Sequence, residues 1–195
     1  SIGSMSEAGL QALPTQWSFA EDAAKEHGNI VDRKDWRIVM FWHIAETREQ
    51  ARIEARDGLF RWRNEYTAGT LMQVGVEPFK TPDQGVDEMA FSDGATAVIG
   101  TPDAAIEYIE TLLEGSGGFG SLMQLAHNWA DWEATKRNYE LIARYVMPHF
   151  QKSNLGRTYS YNYSRDNKDK YQGQAAQAVQ SEIDRYQAKK GEAAE

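Results

Sequence analysis

Residues 98–150 constrain the fold more tightly than any other stretch. An apolar strand end at Val98-Ile99 runs into Gly100-Thr101-Pro102-Asp103. The Thr hydroxyl suits a helix cap, Pro suits the first helical position, and Asp suits the positive end of the helix dipole. A helix over 104–114 follows, with Ile106, Ile109 and Leu113 on one side. The glycine-rich turn Gly115 to Gly120 has no Gly-Lys-Ser/Thr ending and precedes a strand rather than a helix, so it reads as a helix C-cap and tight turn, not a phosphate loop. A strand over 121–126 ends in the polar corner His127-Asn128-Trp129-Ala130-Asp131. Asp131 caps a last helix over 132–145, which Pro148 ends. This is an αβα unit with polar groups at the carboxyl end of its strand, the end where α/β architectures place ligands.

The same alternation extends upstream. Trp17, Ala20, Ala23 and Ala24 predict a helix over 17–27, with Gly28 as its stop. Residues 36–45 are rich in aromatic and β-branched side chains and nearly all apolar, the pattern of a strand buried on both sides. Thr47 caps a helix over 48–65 with Ala51, Ala55, Leu59 and Trp62 on one face, and its Arg/Glu pattern predicts a solvated outer face. Residues 66–97 read as irregular, with one short helix near 82–89; a loop of that size is usually functional. Residues 151–164 read as a polar linker or surface wrap, and the alternation Tyr159, Tyr161, Tyr163 as a short edge strand. An amphipathic tail helix over 166–189 carries the stripe Tyr171, Ala175, Ala178, Val179, Ile183 and Tyr186. The predicted organisation is one unit over 1–150 and a linker with tail helix over 151–195.

Alternating α and β elements imply parallel strands joined by crossover helices. Two or three parallel strands are not expected to bury both faces or close a sheet, whereas an eight-stranded barrel takes about 250 residues. The 195-residue chain starts abruptly at Ser1-Ile2-Gly3-Ser4, which reads as the end of a further strand and favours a missing amino-terminal portion. That start has no basic segment of a signal peptide. A net charge of −8 without a basic block argues against nucleic acid. The absence of Cys excludes disulfides and thiolate catalysis. No apolar run is long enough for a membrane span, and the four His lack metal-site spacing. A cytoplasmic protein with no metal is the expectation.

Several motifs, in their order and spacing, resemble one family. Gly100-Thr101-Pro102-Asp103, Gly117-Gly118-Phe119-Gly120, His127-Asn128-Trp129-Ala130 and Tyr145-Val146-Met147-Pro148-His149-Phe150 look like the C-terminal end of luciferase-like flavin-dependent monooxygenases. The strand over 36–45 running into Glu46-Thr47-Arg48-Glu49-Gln50-Ala51 resembles their seventh strand and helix, and Ser1-Ile2-Gly3-Ser4 the end of their sixth. The tail helix resembles that of a limonene-monooxygenase-like branch. The resemblance implies an α/β fold, the C-terminal part of a (β/α)8 TIM barrel supplying about the last three βα units, plus the tail helix. It implies reduced FMN at the strand ends, O₂, a small apolar organic substrate, a flavin reductase and a homo-oligomeric parent. The first five strands and the phosphate-binding segment after the fifth have no counterpart here, so the chain is expected to be inactive alone.

Candidate site residues follow from strand ends. His43 ends the strand over 36–45 and can bond a ligand or move a proton, or simply bond a nearby carbonyl. His127 is the second catalytic candidate; Asn128 and Trp129 are cofactor-binding candidates, a donor and a pocket wall, against the alternative that the corner caps a loop and Trp129 fills the core. Ser1, Gly3 and Ser4 are cofactor-binding candidates because small residues permit close approach, against the alternative of an ordinary turn. Two other functions remain open at this point: a deazaflavin-dependent oxidoreductase of the same barrel type, and a non-catalytic half-barrel that pairs with another subunit.

Overall fold

The computed structural model describes residues 7–192. Two compact units divide the chain between Phe150 and Gln151. The first is built on a three-stranded parallel sheet. Strand β1, Arg37–Ile44, is central. Strand β2, Ala97–Gly100, pairs with its carboxyl half, from Phe41↔Ala97 to Ile44↔Gly100. Strand β3, Ser121–Gln124, pairs with its amino half on the other edge, from Arg37↔Ser121 to Met40↔Gln124. The predicted strand over 121–126 is therefore two residues shorter, although Leu125 N–H still donates to the Met40 carbonyl, 2.9 Å.

Both faces of β1 are buried, contrary to the expectation that so few strands could not manage it. Period-two alternation sends Ile38, Met40, Trp42 and Ile44 to one face, where they pack with Trp17, Ile109, Leu112 and Val146. Phe41 and Ala45 go to the other, with Ala51, Ala55, Leu59, Val86 and Trp129. The reason is topological. The chain leaves β1 for a neighbour on one edge and then returns past β1 to the other. Right-handed crossovers running in opposite directions place their helices on opposite faces.

The helices are α1 (Glu7–Gln11), α2 (Leu13–Glu26), α3 (Arg48–Arg61), α4 (Pro82–Ala90), α5 (Pro102–Ser116), α6 (Trp132–Leu141), α7 (Met147–Gln151), α8 (Leu155–Asp166) and α9 (Lys168–Glu192). Helix α2 begins four residues before the predicted start because Pro14 is accommodated in its first turn. Thr47, Thr81, Thr101 and Asp131 each accept a backbone N–H of the helix they open. Gly117 ends α5 at φ 72°, a left-handed conformation that a side chain would strain.

Two π-helical segments were invisible in the pattern. Residues Trp62–Thr70 continue α3 in the wider register, so the predicted helix over 48–65 ends its α-helical part at Arg61 and the first part of the predicted irregular region is helical. Asn64 then pins the following loop, donating to the Phe79 carbonyl at 2.9 Å and accepting its N–H at 2.8 Å. Residues Ile142–Val146 form the second. Pro148 does not end that helix: the wide turn before it accommodates the ring and the missing N–H, and α7 runs on to Gln151.

The second unit is helical. The predicted linker over 151–164, with its tyrosine edge strand, is replaced by α8: Tyr159 and Tyr163 stack one turn apart, with ring centres 6.2 Å apart. Tyr171 of α9 donates to the Tyr163 hydroxyl at 3.1 Å. The apolar stripe of α9 is exposed at Tyr171, Val179, Ile183 and Tyr186. Among the described residues no helix is long and apolar enough to cross a membrane, and no cluster of His and carboxylates has metal-site geometry.

Candidate active site

The connection from β1 leads to α3 on one face, and that from β3 leads to α6 on the other. Adjacent strands whose connections part in this way open a crevice at their carboxyl ends. His43 stands there, at the end of β1, 1% exposed. Its Nε2 lies 2.9 Å from Glu54 Oε2. The second Glu54 oxygen accepts from Gln50 Nε2 at 2.8 Å and from the Arg137 guanidinium. Arg137 comes from α6, so the chain Arg137–Glu54–His43 bridges the two helical layers over the end of the sheet. Its neighbour Asn138, 2% exposed, accepts the Ile44 N–H at 2.8 Å, satisfying a strand-end donor that β3 has left behind.

Electrostatics assigns the protons. Burial lowers the pKa of His43, outweighing the Glu54 carboxylate that favours the charged ring. Burial pushes the Glu54 carboxyl up, but the hydrogen bonds from Gln50, His43 and Arg137 hold it below its ordinary value. The pair is a neutral imidazole donating from Nε2 to an ionised carboxylate, whose charge Arg137 balances.

His127 is fixed differently. Its Nε2 donates to the Trp42 carbonyl at 2.8 Å, while Nδ1 accepts the Trp129 N–H at 3.3 Å. The ring stacks on Trp129 with centres 4.0 Å apart. Burial takes its pKa down to about 4. Both nitrogens are engaged, which stitches the chain after β3 to β1. Trp129 is core, 2% exposed, and its indole N–H has no partner, as is also the case for Trp42 on the opposite face of β1. Asn128 is exposed and makes no hydrogen bond to the described residues. Ser1, Gly3 and Ser4 lie outside the described residues.

A cleft of about 640 Å³ lies beside His127, lined by Gly58, Arg61, Trp62, Glu65, Tyr66, Ala126 and Asn128. Gly58 stands one turn after Glu54 on α3. A Cβ there would lie 1.9 Å from the Trp129 carbonyl oxygen, so only glycine allows the helix to meet the corner. The structure thus brings His43, His127, Asn128 and Trp129 to one strand end. It adds Glu54, Arg137, Gln50 and the cleft walls Trp62 and Tyr66, which sequence reasoning missed. The Arg/Glu pattern of α3 is not simply a solvated face: Glu54 points inward, its side chain only 15% exposed.

Comparison with known proteins follows this geometry. No family model matches. The chain is 40% identical over 152 residues to 4-hydroxyprotoasukamycin monooxygenase of Streptomyces nodosus subsp. asukaensis, 77% of this chain and 40% of that protein. It is 38% identical over 184 residues to limonene 1,2-monooxygenase of Rhodococcus erythropolis, 93% of this chain and 46% of that protein. The chain belongs to the luciferase-like monooxygenases. It spans less than half the length of these two curated relatives. The fold of this luciferase-like chain is also found in the oxygenating constituent of 3,6-diketocamphane monooxygenase from Pseudomonas putida, solved with FMN (TM-score 0.54, 24% identity, 71% of this chain and 40% of that one). A monooxygenase from Streptomyces bottropensis shares it with TM-score 0.53 and 20% identity over 72% of this chain and 39% of that one.

Proposed function

We propose that this chain is the carboxyl-terminal part of a (β/α)8-barrel monooxygenase that uses reduced FMN and O₂ to oxygenate a small apolar organic molecule. The observation that carries this reading is the 38% identity to a limonene monooxygenase over 93% of the chain. The cleft fits the flavin ring. Its volume lies within the range of about 300–1,000 Å³ usual for small-molecule sites. Trp62 and Tyr66 offer flat apolar walls, and the free Asn128 amide and Arg61 guanidinium offer donors to polar ring edges. Bound reduced FMN supplies the reaction with O₂ that puts one oxygen atom on the substrate. Trp62, Tyr66 and Asn128 of this chain orient the ring; His43, neutral, buried and held by Glu54, ties the strand end to α3. A flavin reductase supplies the reduced cofactor, and the whole protein is a homo-oligomer. The relatives named as monooxygenases and the FMN-bound fold neighbour favour this reading over a deazaflavin enzyme.

The chain alone is proposed to be inactive, because it spans less than half the length of these relatives. The test supplies FMN, a flavin reductase, O₂ and limonene to the 195-residue chain and to the chain fused behind the amino-terminal half of limonene 1,2-monooxygenase. Oxygenated product from the fusion alone supports the proposal. Turnover by the isolated chain overturns the claim of inactivity, and a folded fusion that binds FMN without oxygenating any terpene overturns the monooxygenase reading.

A further inference from the structure

The second unit is helical but has no core. Among the described side chains of residues 151–190 none is buried, and only Asn162 and Asn167 are partly covered. Its apolar side chains nevertheless form one continuous band. Tyr159 stacks on Tyr163, and Tyr163 meets Tyr171 with ring centres 6.4 Å apart. The stripe of α9 carries on through Ala178, Val179 and Ile183 to Tyr186. Val179 is 61% exposed and Tyr186 68%. A hollow of about 740 Å³ along this stripe is lined by α9 alone, from Ala178 to Lys190, and so lacks its second wall. With about 200 Å² per tyrosine, the band offers on the order of 700 Å². That exceeds the ~300–600 Å² apolar patch of a typical monomer and approaches the ~800 Å² that each partner brings to a stable dimer. A helix as long as α9 takes most of its stability from packing such a face.

We propose that this band is a self-association surface, covered by the α9 stripe of a second copy of the chain. Charge selects that occupant. Residues 151–195 hold eight of the 21 Lys and Arg and six of the 29 Asp and Glu, a net of +2, so residues 1–150 carry −10 of the overall −8. Two copies that met through their first units would bring −10 against −10, whereas second units meet close to neutrality. The stripe also suits its own two-fold copy, as an isologous contact requires. Tyr171 and Tyr186 stand at its two ends, with Ala178 and Val179 midway between them. A two-fold axis beside Ala178 and Val179 therefore sets two α9 helices antiparallel. Tyr171 then meets Tyr186 of the second copy at either end, and the small Ala178 permits close approach in the middle. This surface accounts for the homo-oligomer proposed above and does not depend on the flavin reading.

The experiment is sedimentation equilibrium on the full 195-residue chain, on Val179→Glu, on Val179→Lys and on an equimolar mixture of the two variants. Wild type is expected to be a dimer at micromolar concentration. Val179 lies beside the axis, so each variant sets like charges against each other and should weaken dimerisation at least about tenfold. The mixture sets Glu against Lys and should form a heterodimer more tightly than either variant pairs with itself. That recovery also shows that neither variant failed merely by unfolding α9. A monomeric wild type overturns the proposal. So does a dimer that neither variant weakens, which would assign self-association to the first unit. Full affinity in Val179→Lys with loss only in Val179→Glu would mean that α9 docks on the acidic first unit of the second copy, and it overturns the pairing of stripes. A mixture no tighter than its components overturns it as well. The monooxygenase reading is decided separately, by turnover of the fusion, and none of these outcomes touches it.

Discussion

Two histidines close the carboxyl ends of adjacent strands, and they are held by opposite means. His127 is bonded to a main-chain carbonyl and a main-chain N–H and lies flat on Trp129. His43 is bonded to a side chain, Glu54, whose charge depends on Arg137 from another helix. Burial lowers the pKa of both. The difference is in what can change. Main-chain partners cannot be titrated or moved without moving the strands, so His127 is a fixture of the fold. The partners of His43 are side chains with their own protonation equilibria, so its state is adjustable. The same residue type at the carboxyl ends of adjacent strands therefore does not imply the same use.

The most severe way to break this contrast acts on both sites at once. Gly58 separates α3 from the corner that carries His127, and a methyl there would sit on the Trp129 carbonyl. Main chain cannot yield as a flexible side chain would, so Gly58→Ala is expected to lose more than about 4 kcal/mol. Urea unfolding at neutral pH reads this out; a loss under about 1 kcal/mol would show that the corner is pliant. Next in size is Glu54→Leu, which leaves Arg137 and the buried His43 donor without their acceptor. Removing one partner of a buried pair costs about 3–5 kcal/mol, with the lower end expected here because Glu54 retains some exposure. His127 should keep its nitrogen shifts in this variant, and if they move, the two sites are not independent.

Much of this frame is legible in the chain, and the reason is locality. Thr47, Thr101 and Asp131 act within one turn of themselves, Gly117 needs only its own backbone, and the apolar run of β1 reports its own burial. The family motifs likewise mark strand ends, so His43 and the His127-Asn128-Trp129 corner could be singled out. What escaped was non-local or of the wrong period. Glu54 sits among Arg and Glu residues on α3, where each charge has a plausible neighbour three or four positions away. Its actual partner lies 83 residues on. The π-helical segments carry no sequence period of their own, and the residues Trp62 and Tyr66 of the cleft lie in one of them. Alternating tyrosines misled because stacking at four-residue spacing serves a helix as well as period two serves a strand.

Acid is the third lever, and its direction follows from proton binding. The unfolded chain titrates His127 near its ordinary 6.5, whereas the folded one refuses the proton until about 4. Between these values the unfolded state binds more protons, so stability falls as pH falls, by about 1.4 kcal/mol per unit at most. The lowered pKa of His43 adds in the same sense below its ordinary 6.5. His127→Phe keeps the stack on Trp129 and removes one titration. It should lose about 1 kcal/mol at pH 7, because the Trp42 carbonyl loses its short bond and keeps the longer one from Gln124 Nε2 at 3.4 Å, yet show a shallower decline toward pH 4.5. Unfolding curves at the two pH values decide this, and an unchanged slope would mean that His43 alone carries the acid sensitivity.

The smallest substitution separates the two sites most cleanly. Gln50 donates to the Glu54 oxygen that also serves Arg137, and it touches nothing at His127. Gln50→Ala should lose about 1 kcal/mol, the ordinary worth of a hydrogen bond to a charged group partly open to water. Its informative effect is on pH. Glu54 is held below its ordinary 4.5, so it contributes stability above that value that is lost as pH falls through the folded pKa. Without Gln50 the folded pKa rises, and that loss sets in at a higher pH. Arg137 still balances the carboxylate, so His43 should keep its Nε2 proton and its neutral state at pH 7. Nitrogen shifts of both rings in this variant therefore have a sharp expected pattern: neither changes, while the acid limb of the stability curve moves up. A His43 that becomes charged in Gln50→Ala would assign to Gln50 the control attributed to Arg137. The adjustable site would then be governed from α3 alone, with no need of the bridge across the sheet.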